Sequence, residues 1–208
     1  MRAITSTICI SILLSSCASN TGENQATSKA DTIVQETVVT TDEDTGEIPP
    51  HESYDEFIPE AYMLHEEYHG DLNRDNYEDV LLVLEPTADP DYMINRAVML
   101  LTRNEDSTLK IAAMCKNGAL CKECGGMMGD PLANVVINKG YFTIEHFGGS
   151  REKWTDDPTF KYNKEHGKWY LHRRSKQVHD GLDPENGSSS TMLTTKDFGV
   201  VDFEDFSY

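Results

Sequence analysis

The chain has no apolar run long enough to cross a bilayer, which takes roughly 20 residues. The stretch from Ile8 to Leu14 is mostly apolar but far too short. A transmembrane helix is therefore excluded there, and a signal h-region fits, with Arg2 as its positive start. Positive charge is also scarce: 18 Lys and Arg stand against 36 Asp and Glu, for a net charge of −18. Nucleic-acid affinity comes from Lys and Arg on phosphates, so nucleic acid is not expected as a partner. Direct docking on anionic headgroups is disfavoured for the same reason. The balance suits divalent cations or basic partners, and it also keeps an exported protein soluble. No long amphipathic helix is evident, and no repeat recurs at 20 to 50 residues. No Ser-His-Asp or Cys-His set can be assembled by spacing.

What is present begins with an address. Leu14-Ser15-Ser16-Cys17 resembles a bacterial lipobox. The resemblance implies cleavage before Cys17 and diacylglycerol on its sulfur. An acylated terminus holds a protein on a membrane without a helix when two or more chains are attached. Residues 18–52 are polar and almost free of aromatics, so they cannot bury enough apolar surface to offset their ordering entropy. "TIVQETVVTT" is the one stretch in them able to pair transiently as a strand. As a coil this tether spans roughly 30–35 Å. The expected organisation is a signal peptide over 1–16, a lipidated Cys17 with its tether over 17–52, and one globular domain over 53–208. The expected location is the bacterial cell envelope, lipid-anchored at the outer membrane and facing periplasm or surface.

The domain reads as strands. "DVLLVLEP" is a continuous apolar run between turn residues, as a strand buried on both faces would be. "NRAVMLLTRN" and "TLKIAAMC" flank the turn "NEDS", and Leu109, Ile111, Ala113 and Cys115 then share a face. "NVVINKGYFTIEHF" places Asn138-Lys139-Gly140 between two β-rich runs, a hairpin signal. "TFKYNKEHGKWYLHR" is a second, with Phe160 and Tyr162 opposite Trp169 and Leu171. Residues 175–191, rich in Gly, Pro, Ser and Asp, read as a long loop. "DFGVVDFEDFSY" reads as a closing strand with Val201 and Phe203 inward. The fold expected is mainly β, a β-rich α+β domain built as an antiparallel meander of hairpins.

"DLNRDNYED" carries the chemistry. Counted from Asp71, oxygen donors fall at positions 1, 3, 5 and 9: Asp71, Asn73, Asp75 and Asp79, with the Tyr77 carbonyl at position 7. Ca²⁺ takes six to eight hard oxygens, and alternate residues of a tight loop converge on one point. Position 6 is Asn76, the residue after Gly most tolerant of a left-handed backbone. Position 12 is Leu82 where an EF-hand has its bidentate Glu, so this is no EF-hand. The alternative is a solvated acidic turn.

Immediately before it, His65-Glu66-Glu67-Tyr68-His69 matches HExxH letter for letter. Zinc chemistry there needs a helix, so that His65 and His69 face one ion and Glu66 acts as base. On a strand the two histidines lie about 13 Å apart. A zinc-dependent hydrolase is the alternative function on this segment.

Cys9 leaves with the signal, and Cys17 is taken by lipid. Cys115, Cys121 and Cys124 are left. A disulfide is allowed in an exported protein, and short spacing favours Cys115 with Cys121 or Cys124. Inert buried thiols and a metal or redox pair stay open. His146 and Trp154 beside a Gly-rich turn mark a pocket edge or simply a hairpin end.

The loop resembles the Asp-x-Asn-x-Asp-x-x-x-Asp calcium loop of FG-GAP and related repeat proteins. With "FIPEAY", "CGGMMGDP", "KGYFTIEHFGGS", "TFKYN" and "KWYLH" in order, residues 55–173 resemble a family of uncharacterised bacterial secreted proteins and lipoproteins. That family favours Gly where this chain has Asn76, and the HExxH match is no part of its pattern. The resemblance implies a calcium-stabilised β domain and is silent about activity. The function expected is a non-enzymatic binding or interaction module with a protein or glycan partner.

Overall fold

A computed structural model gives the fold and describes residues 52–87, 93–183 and 185–208. The signal segment, Cys17 and the tether, "TIVQETVVTT" included, lie outside the described residues.

Among the described residues, nine strands form two antiparallel meanders. The first sheet runs in order β1 (Tyr62–Gly70), β2 (Asp79–Pro86), β3 (Arg96–Arg103) and β4 (Leu109–Ala119). The second runs β5 (Leu132–Ile137), β6 (Tyr141–Gly149), β7 (Glu152–Asn163), β8 (Lys168–Asp180) and β9 (Ser188–Thr194). Consecutive strands within each sheet pair antiparallel, and where a run alternates over one buried face, as β6 does, the pattern admits one register. The expected single meander thus divides into two sheets, and the break falls in the Gly-rich stretch between β4 and β5.

β2 and β3 are buried on both faces. Leu81, Val83, Val98 and Leu100 enter a core shared with the second sheet, where Val135, Phe142, Ile144, Phe160, Trp169 and Leu171 meet them. Val80, Leu82, Leu84, Ala97, Met99 and Leu101 face the other way, under Tyr54, Phe57 and Ile58. Each such side chain contributes about 1.5–3 kcal/mol on leaving water.

The hairpins at 138–141 and 163–168 form as the sequence suggests. Asn138 and Tyr141 exchange backbone bonds across Lys139 (φ 45°) and Gly140 (φ 80°), the left-handed pair of a type I′ turn. Phe160 pairs with Leu171 and Tyr162 with Trp169.

Four expectations need correction. Residues 175–191 are not a long loop: β8 and β9 pair from Arg173–Thr194 to His179–Ser188, leaving only 181–187 as the turn. β9 buries none of its residues, so no apolar alternation marked it. The C-terminal end is no strand. It is a turn of α-helix, α1 (Thr195–Phe198), then two isolated bridges and a 3₁₀ turn at Phe203–Asp205. Phe203 faces the core as expected and Phe206 joins it, both edge-on against Phe160, and Val201 packs against that core partly buried.

Leu109, Ile111, Ala113 and Cys115 do not share a face either. The pairing slips between Ala113 and Ile111, and this bulge reverses the pleat. Ala113 and Cys115 enter the shared core, Leu109 packs on the opposite side, and Ile111 is exposed. Lastly, Cys115 is a free buried thiol, its Sγ donating to the Phe206 carbonyl, while Cys121 bonds Cys124. Pointing into the core, Cys115 cannot reach either partner, whereas the tight turn between the other two brings their Cα atoms to 5.1 Å.

Candidate metal centre

The loop between β1 and β2 is folded by its own carboxylates. Asp71 Oδ1 accepts the amides of Arg74 (2.5 Å) and Asp75 (3.2 Å), and its Oδ2 accepts Asn76 (3.3 Å). Asn73 Oδ1 accepts the Asp75 amide at 2.9 Å, and its Nδ2 donates to Asp75 Oδ2 at 2.7 Å. Asp75 Oδ1 accepts the Tyr77 amide at 2.9 Å. These Asx-type bonds let Arg74 and Asn76 hold left-handed backbone, at φ 65° and 69°. Asn76 thus does what position 6 requires, and Arg74 is a second such residue that spacing did not suggest.

The last carboxylate differs from the others. Asp79 opens β2 and is fully buried. Its two oxygens accept the amides of Leu72 and Arg103, both at 2.8 Å. Burial pushes its carboxyl up to about 6, the Arg103 and Leu72 amides pull it back, and the charges of Asp75 and Asp71 push it further. A cation beside it would reverse that push.

The loop is tied to the second sheet as well. Trp169 Nε1 donates to the Leu72 carbonyl at 2.8 Å, and the Gly140 amide donates to the Asp71 carbonyl at 2.8 Å. Arg74 Nε donates to the Lys139 carbonyl at 2.8 Å. A side chain at residue 140 would collide with Arg74, whose nearest atoms lie 2.7 Å from where a Cβ would sit.

One ligand atom each from Asp71, Asp75 and Asp79 can come within 4.8 Å of one another, so this group could hold a metal ion. Among the described residues it is the one such group of three or more His, Cys, Asp or Glu. Asn73 stands in the same loop. Tyr77 enters through its amide, and its ring is exposed.

The HExxH segment forms β1, not a helix. The pairing slips at His65, and the two histidines meet different neighbours. His65 lies 3.9 Å from Glu85 and 3.8 Å from Asp130, beside the buried Arg96 that grips both carboxylates. His69 lies 3.3 Å from Glu67 and 3.7 Å from Glu78. Glu66 accepts the Tyr68 hydroxyl. The segment therefore lacks the one-turn spacing that a shared zinc requires.

His146 is a core histidine. Its Nε2 accepts the Leu120 amide at 3.2 Å, which leaves Nδ1 to carry the proton toward the Asp156 carbonyl and the Tyr208 hydroxyl. Burial is the main reason its pKa falls to about 4. Trp154 packs across Gly148 at the end of the β6–β7 hairpin.

The spacing of "DLNRDNYED" pointed to the acidic residues. It carried no sign that the Leu72 backbone would be held at both ends, nor of Arg103, Trp169 and Lys139, which position the loop from elsewhere in the chain. No protein-family model matches this chain, and neither a curated protein nor a solved structure with significant similarity to it was found.

Proposed function

We propose that this is a lipid-anchored protein of the bacterial cell envelope, whose β domain is stapled by one Ca²⁺ and serves as a non-enzymatic binding module. One observation carries the reading: Asp71, Asp75 and Asp79 converge where the loop enters β2. The donors on offer are carboxylates, the Asn73 amide oxygen and the Tyr77 carbonyl. All are hard oxygens, which suit Ca²⁺ and give zinc neither thiolate nor imidazole. Mg²⁺ demands a stricter octahedron and keeps its waters. A cation here would cancel repulsion among three carboxylates and join β2 to a loop that the second sheet already grips. The anchor is Cys17.

Thermal melting of the full chain tests the ion. A site without a bidentate Glu should bind at about 10⁻⁴ to 10⁻³ M. A ligand at a hundredfold excess over Kd adds about 2.7 kcal/mol to the folded state. Calcium at about 10 mM should therefore raise Tm by several degrees over chelator. Asp75→Ala should abolish the shift and Glu78→Ala should keep it. Identical melting in calcium and chelator, with no ion found by titration, would leave the loop as an acidic turn. The anchor is tested by alkyne fatty-acid labelling: Cys17→Ser should lose the label, and equal labelling removes the lipoprotein.

A further inference from the structure

The outer face of the second sheet gathers cations in an acidic chain. Arg74, Lys139, Lys161, Lys164 and Arg173 line three hollows there, of about 430, 400 and 590 Å³. The first two share Asn138 and Tyr141, and the second and third share His172, so they adjoin as one groove. The groove starts at the acidic loop, crosses Tyr141 and ends at the β7–β8 hairpin.

Sheet register builds it. Tyr141 pairs with Lys161, Thr143 with Thr159, and Thr159 with Arg173. The pairing slips between Thr159 and Phe160, and the extra residue leaves both His172 and Arg173 exposed. Arg74 and Lys161 lie over the Tyr141 ring, at 5.2 and 5.4 Å from its centre, with the His172 ring at 5.6 Å.

The arginines are telling. Among the described residues Arg96, Arg103, Arg151 and Arg174 each grip a carboxylate of the chain. Arg74 and Arg173 have none, though carboxylates outnumber cations two to one, and both line this groove. Arg74 bonds a backbone carbonyl and Arg173 a threonine hydroxyl, at 3.4 Å. Two carboxylates border the groove. Asp71 is turned onto loop amides, and Glu165 sits in the hairpin turn. The local field is positive: Lys161 and Arg74 hold the Tyr141 hydroxyl below its ordinary range, and Lys161 and Arg173 add to the burial that lowers His172.

We infer that this groove binds a carboxylate-bearing oligosaccharide, with Arg74, Lys161 and Arg173 on its carboxylates. Arg pairs bidentately with carboxylate. The Asn138 amide and the Asn163 amide nitrogen offer polar contacts between the cations, as an acidic sugar's hydroxyls need, while the Thr143 and Thr159 hydroxyls bond one another. An acidic peptide fits less well. The groove crosses a sheet face whose amides are spent in the ladder, so a peptide main chain finds no partners. A nucleic acid fits less well again, because cations cover the Tyr141 ring that a base would stack on. The inference rests on the reading of the domain as a binding module and names its ligand class.

Calorimetry on the full chain with tetragalacturonate, in EDTA and low salt, tests it. Binding should saturate below about 1 mM. Lys161→Ala and Arg173→Gln should each weaken it about tenfold, the loss of one charge-assisted contact. Lys110→Ala, on the first sheet, should leave it unchanged, and circular dichroism should show all three variants folded. No heat at 10 mM ligand, equal binding of uncharged maltotetraose, or tighter binding of hexaglutamate or an oligonucleotide would each overturn the inference. EDTA removes any ion from the acidic loop. A silent calorimeter beside a calcium-dependent melt would thus discard the groove and leave the calcium site standing.

Discussion

The two sheets share a core and otherwise live in different surroundings. β2 and β3 in the first sheet are covered on both faces, one by the second sheet and one by the segment around Tyr54 and Phe57. The second sheet buries one face only, and β9 has no buried residue at all. A strand covered twice is apolar along its middle, with polar residues such as Asp79 and Arg96 at its ends. A strand with a wet face can carry Tyr141, Lys161 and Arg173 on one side while Phe142, Phe160 and Leu171 hold the core on the other. The acidic loop, between β1 and β2 of the first sheet, joins it to the second through Trp169 and Gly140.

That contrast breaks first on its largest consequence. Leu100→Ala empties the shared core and Leu82→Ala empties the opposite one; both side chains are fully buried. Each should cost about 2–5 kcal/mol in urea unfolding. A cost under about 1 kcal/mol for Leu82→Ala alone would mean that the cover around Tyr54 is loose and the first sheet has a wet face after all.

The inner face of the second sheet yields a pH effect. His146 is neutral in the fold, with its pKa depressed from 6.5 to about 4. The unfolded chain therefore binds more protons between those values. Stability is full above pH 6.5 and is lost as pH falls toward 4, by about 3 kcal/mol. His146→Gln should start less stable at pH 7 and show a flatter slope. An unchanged slope would assign the acid sensitivity to other groups.

Legibility followed the same divide. "DVLLVLEP" announced a twice-covered strand because burial on both faces leaves an unbroken apolar run. Asn138-Lys139-Gly140 announced its hairpin because left-handed backbone selects its residues locally. β9 was illegible, since Ser188 to Thr191 meet solvent and nothing forces an alternation on them. The Ala113–Ile111 bulge was illegible too, and one inserted residue sent Ile111 outward. In the candidate metal centre, the spacing of Asp71, Asp75 and Asp79 could be read because one short loop holds it all. The bond from Trp169 to Leu72 joins residues 97 apart, and no local pattern encodes it.

The connection between the sheets gives the next effect. Cys121–Cys124 closes a loop of very few residues, so the unfolded chain loses little freedom by it. The chain-entropy relation gives about 2 kcal/mol for so short a loop. Cys124→Ser should lower stability by that amount under oxidising conditions and by nothing under reductant. Cys115→Ala should behave alike in both, because its thiol is buried and unbridged. A redox-dependent effect at Cys115 would show that the pairing exchanges in solution.

The smallest effect belongs to the wet face. Met192 sits on β9, opposite Ser175, and is about half exposed (51 %). Met192→Ala removes little buried area and breaks no ladder bond, since the backbone pairs of β8 and β9 do not involve the side chain. Surface changes of this kind stay within about 0.5 kcal/mol. Urea unfolding should give that value, independent of protein concentration. A loss above about 2 kcal/mol that grows with concentration would mean that the side chain is covered in solution by another copy. β9 would then be an interface strand, and the second sheet would have no free edge there.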